Sequence, residues 1–210
     1  LFTNKKIIVN IDGLEWKRQK WGKMAQKFLK FSERLAVRYS HADITDNEAI
    51  KSYTAEEYQT LSNLIEYGAD HAKNEDIPRK EVKSSPIFKK YPELLSDGYA
   101  FKVARIEPEN NIAEILLAFS IYQERKLVVV GNWAHSKYGL DIREKYEPYK
   151  NIYLIDPIYN QKELNILRSN CFLYIHGHSA GGTNPSLIEA MHLQLPIVAF
   201  DVTFNRKTTE

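Results

Sequence analysis

The residues best suited to chemistry lie in one segment, HGHSAGGTNPSLIEAM at residues 176–191. Asn184 is a good N-cap and Pro185 suits the first helical position, so the pattern predicts a helix that begins here. Gly181 and Gly182 stand just before it and allow the backbone to approach a ligand closely. The segment therefore has the form of a glycine-containing loop that leads into a helix.

Such a helix start can hold an anion. The N–H groups of the first turn have no partner within the helix, so we expect the backbone from Thr183 to Ser186 to bind a group such as a diphosphate. Glu189 lies about one turn further and would accept hydrogen bonds from a sugar hydroxyl. A plain loop-to-helix junction with a solvated Glu189 explains the same spacing equally well.

The histidines of this segment raise the question of a metal. The two histidines of His176-Gly177-His178 are spaced like a metal-binding pair. The sequence has no further Cys/His cluster beside them. We therefore expect no metal site.

The elements that position this segment follow from a regular pattern after Gly98. Strand-like runs alternate with helical ones, which predicts right-handed βαβ units and an α/β fold with a parallel sheet and helices on both faces. The predicted strands are Tyr99–Ala104, Lys126–Gly131, Asn151–Asp156, Cys171–His176 and Pro196–Asp201. Ligands bind outside the carboxyl ends of such strands, where Arg105, Gly131-Asn132-Trp133, Pro157-Ile158-Tyr159 and 177–184 stand.

The first 70 residues contain a further set of strand-like and helical runs. A strand at Lys6–Ile11 leads into the turn Asp12-Gly13, and a helix covers 17–38. We expect the apolar face of this helix to pack on the sheet; its residues are Trp21, Met24, Ala25, Phe28, Phe31 and Leu35. The opposite side is basic, and its lysines are either solvated or attracted to an anionic membrane.

Residues 71–97 differ in character, since they are charged and contain Pro78, Pro86 and Pro92. We interpret them as a linker with one short helix. The predicted domains are thus 1–70, the linker 71–97, and 98–210.

Composition excludes several classes of protein. The 210 residues carry a net charge of +2, too little to argue for nucleic acid, and the single Cys171 allows no internal disulfide. No apolar run approaches the roughly 20 residues that span a bilayer. The chain has no starting Met, opens on Leu1-Phe2-Thr3 and ends on Thr208-Thr209-Glu210, each beside a strand-like run, so we expect a fragment.

The 176–191 segment resembles the signature of retaining GT-B glycosyltransferases of glycosyltransferase family four. In that family two glutamates in an E-x7-E arrangement flank the loop and helix start. Glu189 matches the second, which binds the nucleotide ribose. Gly181 stands where the first, a donor-sugar ligand, is expected, and His178 or Thr183 would fill its place.

A second segment, VARIEPENN at residues 103–111, resembles the family's strand-end "GRL-x-PEKG". Arg105 aligns with the arginine that neutralises the donor diphosphate, and a guanidinium grips phosphate in a bidentate way. Asn110 replaces the family's lysine and removes one positive charge. The resemblance also places the nucleobase near Tyr159, held mostly through backbone contacts.

Four segments in combination resemble bacterial rhamnosyltransferases of capsule and cell-wall polysaccharide synthesis; they are NIDGLEWKRQKW, ARIEPENN, HGHSAGGTNPSLIEAM and FDVTFNRKTTE. The resemblance implies a cytoplasmic enzyme, peripheral at the membrane, with parts of both GT-B domains. It would transfer rhamnose from dTDP-rhamnose, with retention and without a metal or other cofactor, to a glycan or lipid-linked acceptor. The resemblance also implies that Asp12, Glu15 and Arg18 face the acceptor. A turn and a helix cap would account for these three residues equally well.

Two other interpretations remain. The chain is either catalytic or a nucleotide-sugar-binding module without turnover, since Gly181 replaces a glutamate. A doubly wound oxidoreductase is disfavoured, because no G-x-G-x-x-G follows a strand.

Overall fold

The computed structural model describes residues 5–18, 20–72 and 78–210, so the predicted chain start at Leu1-Phe2-Thr3 lies outside the described residues. The chain forms two compact units. The first comprises the described part of Leu1–Gly68 together with Ser179–Pro185 and Asp201–Glu210. The second comprises the described part of Ala69–His178 together with Ser186–Phe200. Two short stretches from late in the sequence, Ser179–Pro185 and Asp201–Glu210, thus pack as part of the first unit.

The first unit is built on a parallel sheet in the order β1-β2-β3. Its strands are β1 (Ile8–Ile11), β2 (Ala42–Thr45) and β3 (Asn63–Leu64). A 3-10 turn (Glu15–Lys17) and helix α1 (Lys23–Tyr39) connect β1 to β2, and α2 (Glu48–Tyr58) connects β2 to β3. The late helix α10 (Thr203–Thr209), which the sequence pattern did not predict, packs on α2.

The second unit has a five-stranded parallel sheet in the order β6-β5-β4-β7-β8. The strands are β4 (Ala100–Val103), β5 (Leu127–Val130), β6 (Ile152–Ile155), β7 (Leu173–His176) and β8 (Ile197–Ala199). The helices are α3 (Arg79–Ser84), α4 (Pro86–Lys90), α5 (Glu93–Asp97), α6 (Ile112–Ile121), α7 (Lys137–Tyr146), α8 (Gln161–Ser169) and α9 (Pro185–His192). Strands and helices alternate as the sequence predicted, and the α/β assignment is confirmed.

The core of the second unit lies on both faces of this sheet. Strand β5 is at most 2% exposed along its whole length, the mark of a strand covered on both sides. Alternate residues serve different faces, because Val128 and Val130 join one apolar cluster and Leu127 and Val129 join the other. Helices packed on each face complete the layers.

The strand order places a crevice at a defined point. From β4 the chain builds outward through β5 and β6, and then returns to the other side of β4 with β7 and β8. Strands β4 and β7 run parallel with Phe101 opposite Tyr174, so their carboxyl ends share one edge. This reversal is the topological switch point, where open α/β sheets bind ligands.

The segment 71–97, predicted as a linker with one short helix, contains the three helices α3, α4 and α5 in its described part; residues 73–77 lie outside that part. The prolines begin these helices and do not break them: Pro78 and Pro92 are N-cap residues and Pro86 is the first residue of α4. Four of their side chains join the core, namely Val82, Ile87, Phe88 and Leu94.

Helix α1 differs from its prediction in its start and in the face that it buries. It begins at Lys23 with Gly22 as N-cap, and its apolar stripe is largely exposed, with Met24 at 87% and Phe28 at 68%. The buried side of α1 carries Val37, which joins an apolar cluster with Ile11 and Ile50, and polar contacts add to this packing. Glu33 accepts hydrogen bonds from Tyr53 and Tyr58 of α2, both at 2.5 Å, and these contacts turn the Glu33 side of α1 inward.

Candidate active site

Two loops meet at the switch point, one after β4 and one after β7. The amide of Asn111 donates to the carbonyl of Gly177 at 2.7 Å, and the Asn110 amide oxygen lies 2.5 Å from Nδ1 of His178. Asn111 adopts a left-handed conformation (φ 51°), which turns the first loop back toward the second. The predicted site residues Asn110 and His178 are thus brought together.

Arg105 is presented by the first loop. The Asn110 amide donates to the Arg105 carbonyl at 2.8 Å and so fixes the backbone at this point. The Arg105 side chain is exposed, and among the described residues it has no hydrogen-bond or ion-pair partner. A guanidinium on a fixed backbone at a strand end can bind a phosphate group without first giving up an internal contact.

Asn110 and His178 are buried, at 3% and 6% exposure. Since the Asn110 Nδ2 donates to Arg105, the Asn110 amide oxygen is the acceptor and Nδ1 of His178 is the donor. The ring of His178 lies 5.9 Å from that of His176, centroid to centroid. Asn110 and His178 therefore contact the two loops that border the crevice and help to shape it.

Gly177 is where the two loops approach most closely. A Cβ at this position would lie 2.5 Å from the Asn110 carbonyl oxygen, so any side chain would force the loops apart. The same position lies 3.3 Å from Nζ of Lys102, a β4 residue with only 2% exposure. Lys102 was not predicted as a site residue, although a single lysine inside an otherwise apolar strand was an available signal.

Glu189 of α9 is held by two basic side chains. Its Oε2 is 2.5 Å from Nη2 of Arg168, and its Oε1 is 2.7 Å from Nε2 of His71. Arg168 is 1% exposed, and its second Nη donates to Asn165 at 3.0 Å. Glu189 was predicted as a ribose ligand, whereas its partners Arg168 and His71 were not predicted. The Arg168 contact fixes the carboxylate, whereas the His71 side chain is 54% exposed and can move aside.

The loop that contains Gly181 and Gly182 belongs to the first unit. A Cβ on Gly182 would lie 2.0 Å from the Asp12 carbonyl oxygen, and one on Gly13 would lie 2.9 Å from the backbone nitrogen of Gly182. Gly181 has φ 125°, a conformation that glycine adopts readily. The close backbone approach predicted for these glycines is therefore made to the Asp12-Gly13 turn.

Thr183 and Asn184 follow in the same unit. The Thr183 hydroxyl accepts from the Asn47 amide at 3.0 Å and donates to the Asp46 carbonyl at 3.3 Å. These contacts come from residues that follow β2, and the sequence analysis gave Asp46 and Asn47 no such role. Thr183 thereby joins its loop to the residues that follow β2 within the first unit.

Ser186 and Tyr159, the remaining predicted ligands, lie in the second unit. The Tyr174 hydroxyl donates to Oγ of Ser186 at 2.8 Å and so joins β7 to the first turn of α9. Tyr159 is 90% exposed in the connection after β6. Its ring can therefore contact a ligand, since it contributes little to the core.

Acidic residues follow the strands of the first unit. Asp46 is 4% exposed, and burial raises its pKa to about 6, with the charge of Asp12 adding to the shift and backbone N–H groups opposing it. Glu15 is engaged locally, because it pairs with Arg18 at 2.8 Å and accepts from the Trp21 indole at 3.0 Å. Asp12 and Asp46 thus form the acidic pair at this end of the sheet.

Within the described residues, no three His, Cys, Asp or Glu side chains come together in a way that could hold a metal ion. Nor is any described helix both long and apolar enough to span a bilayer.

The fold resembles several solved structures at low sequence identity. Anabaena HepE, crystallised with UDP and glucose, matches with a TM-score of 0.73 at 13% identity over 98% of this chain and 56% of its own. Sucrose-phosphate synthase from Thermosynechococcus elongatus gives 0.72 at 15% identity over 91% and 49%. UDP-GlcNAc 2-epimerase from Neisseria meningitidis, bound to UDP-GlcNAc, gives 0.60 at 15% identity over 96% and 54%.

These structures confirm the predicted GT-B type of fold, and the chain spans about half the length of each. No curated protein matches the sequence. Residues 3–70 match a family model described as "Domain of unknown function (DUF1972)". Residues 84–210, more than half of the chain, match the model described as "Glycosyl transferases group 1". The chain therefore belongs to the group 1 glycosyl transferases.

Proposed function

We propose that the protein transfers a sugar from a nucleotide-sugar donor to a hydroxyl of a glycan or lipid-linked acceptor. One observation carries the proposal: Arg105, exposed and without a side-chain partner among the described residues, stands on a hydrogen-bonded loop at the switch point of the family's domain. Solved structures of the same fold contain UDP, which supports a nucleotide-diphosphate ligand.

In this mechanism, the chain's main task is to stabilise the departing diphosphate. The negative charge grows on the leaving oxygen as the glycosidic bond breaks, and a prepositioned guanidinium stabilises that charge more than it stabilises the ground state. The first turn of α9, which follows the β7 loop, adds N–H groups that favour an anion. Glu189, oriented by Arg168, would accept a hydrogen bond from the ribose once His71 moves away.

The finer assignment follows from the four sequence segments and is part of the proposal. The donor is dTDP-rhamnose, the product keeps the configuration of the donor, and the acceptor belongs to bacterial polysaccharide synthesis. A binding module without turnover is the alternative, because Gly181 replaces the donor-sugar glutamate.

The proposal extends to a membrane surface. The exposed stripe of α1 is flanked by exposed basic side chains, which complement an anionic lipid surface; they are Lys17, Lys20, Lys23, Lys27, Arg34 and Arg38. A lipid-linked acceptor would be presented at such a surface, so the helix would bring the enzyme to its substrate.

Arg105→Ala in the full-length protein tests the mechanism. We expect a loss of about 100-fold or more in kcat/KM, as removal of one transition-state donor produces. The measurement is release of nucleoside diphosphate from dTDP-rhamnose, UDP-glucose and GDP-mannose with a glycan acceptor. Arg125→Ala, a change at an exposed arginine before β5, is the matched control.

The outcomes separate the candidates. Unchanged turnover in Arg105→Ala contradicts the mechanism. Tight donor binding without transfer by the wild type favours the binding module, and donor conversion without an acceptor favours an epimerase-like reaction.

A further inference from the structure

Lys102 is a buried lysine for which the mechanism above has no use. It lies within β4, is 2% exposed, and among the described residues its ammonium has no hydrogen-bond or ion-pair partner. Burying a charged amine without a counter-charge is costly, and a well-packed apolar side chain would be more stable there. Such a group in a crevice is a candidate for function.

The position of its ammonium is defined by the two loops of the switch point. Nζ lies 3.3 Å from the place where a Cβ of Gly177 would be, and the Asn110 carbonyl lies 2.5 Å from the same place. Lys102 therefore reaches the base of the hydrogen-bonded loops, and Arg105 stands three residues later at the same strand end. Because residue 177 has no side chain, the ammonium can approach the backbone of the β7 loop.

The charge balance of the crevice also favours a second cation. The diphosphate of a nucleotide sugar carries two negative charges, whereas the first loop supplies one exposed cation, Arg105, and the neutral amide of Asn110. That amide is already occupied by Arg105 and His178. A lysine at the base of the loops would supply the missing charge.

We propose that Lys102 is a second cationic ligand of the donor diphosphate, and that it takes up a proton when the donor binds. The inference rests on the proposed function, because it assumes a nucleotide-sugar ligand at the switch point.

The proton uptake follows from burial. Desolvation lowers the pKa of Lys102 to about 7, so the amine is largely neutral at pH 8 when no ligand is bound. An anion beside it favours the ammonium and raises the pKa, so binding takes up a proton and affinity falls as pH rises above 7. The other charged or titratable groups on the elements packed here are Arg105, Glu107, Glu109, Glu114, His176 and His178.

Calorimetry of the full-length protein with UDP-glucose and dTDP-rhamnose tests this linkage. Both are diphosphate diesters, so neither ligand's phosphates titrate near neutral pH. In two buffers of different ionisation enthalpy at pH 8, we expect the uptake of a large fraction of one proton. Between pH 6.5 and 8.5, affinity should fall about tenfold.

Lys102→Met provides the matched variant, because methionine keeps most of the aliphatic stem and fits a buried site. It should abolish both the proton uptake and the fall in affinity with pH, and it should weaken donor binding about tenfold at pH 6.5. Lys137→Met, at an exposed lysine of α7 that pairs with Asp141 at 2.8 Å, should change neither.

The results distinguish the two proposals. If the wild type binds no nucleotide sugar, the proposed function fails. If it binds one without proton uptake, the lysine proposal alone fails, whether or not Lys102→Met folds. Equal proton uptake by Lys102→Met and the wild type would assign the uptake to another group and also overturn the proposal.

Discussion

Two buried aspartates of the first unit lie three residues apart and have opposite surroundings. Asp43 accepts hydrogen bonds from the Thr60 hydroxyl at 2.9 Å and from Ser62. Asp46 is 4% exposed and lies near the charge of Asp12. Burial raises the pKa of its carboxyl to about 6. The Asp43 carboxylate thus has hydroxyl donors at its oxygens, whereas burial makes the charged form of Asp46 costly.

This contrast predicts a pH dependence. An exposed aspartate has a pKa of about 3.9, so the folded chain binds more protons than the unfolded chain as Asp46 titrates. The Asp46 contribution to stability is therefore fully present below about pH 4 and is lost as pH rises through 6. We expect Asp46→Asn to raise Tm by a few degrees at pH 7 and to have little effect at pH 4.5, as measured by thermal unfolding.

Asp43→Asn is the matched comparison. An amide cannot accept from both hydroxyls as a carboxylate does, so this variant should lower Tm at both pH values. A lower Tm for Asp46→Asn at pH 7 would contradict the assignment and would indicate that its carboxylate is stabilised by contacts.

The sequence revealed residues at the site more readily than their partners. Arg105 and Glu189 stand after a strand and in a helix start, and the resemblance to the family's segments, which also pointed to Asn110 and His178, was needed to select them. Arg168 and His71 are far from Glu189 in sequence, and Lys102 interrupts a strand, so only the packing of the chain brings them to the crevice. Spacing cannot reveal a contact between distant segments.

At the scale of elements, α1 illustrates where periodicity is insufficient. Its apolar stripe predicted the presence of a helix correctly, because the stripe recurs at helical spacing. The buried side is nevertheless the one with Glu33 and Lys30; Lys30 lies 4.6 Å from the ring centroid of Tyr53. The same side also carries Val37, which packs in an apolar cluster with Ile11 and Ile50, so the longest apolar stripe alone does not give the rotation of the helix.

The exposed stripe predicts binding to anionic vesicles. At low salt, we expect the full-length protein to bind phosphatidylglycerol vesicles more tightly than phosphatidylcholine vesicles, because each basic residue near the surface contributes about 1 kcal/mol. Phe28→Asp should weaken binding, since Phe28 lies on the stripe at 68% exposure. Sedimentation with vesicles measures both effects.

Leu61→Asp is the control, because Leu61 is 92% exposed in the same unit but lies outside α1. Equal binding to the two lipids, or equal loss in both variants, contradicts a role for this helix at a membrane.

At the scale of the whole molecule, Asn47 joins distant stretches of the chain. Its side-chain oxygen caps α2 by accepting from the Ala49 N–H at 2.8 Å. Its amide nitrogen donates to Thr183 at 3.0 Å, to Thr208 at 2.9 Å and to the Phe204 carbonyl at 3.2 Å. One buried amide therefore closes the first unit around residues from three parts of the sequence.

Asn47→Asp separates these two roles. Aspartate keeps the cap but has no N–H to donate, so we expect a loss of about 1 to 3 kcal/mol in the free energy of unfolding. Asn160→Ala, which removes the exposed cap of α8, should cost about 1 kcal/mol or less. Chemical denaturation compares the two; an Asn47→Asp variant as stable as the wild type would show that the cap is the only important contact.

The assignment of Asp201–Glu210 to the first unit has a consequence for the growing polypeptide. On a ribosome that adds about 5 to 20 residues per second, Thr208 is made roughly 7 to 28 s after Gly68. Throughout that interval α2 exists without α10, whereas the last segment of the second unit ends at Phe200 and is therefore made before α10. We therefore expect the part of the protein that is translated first to reach its native state last.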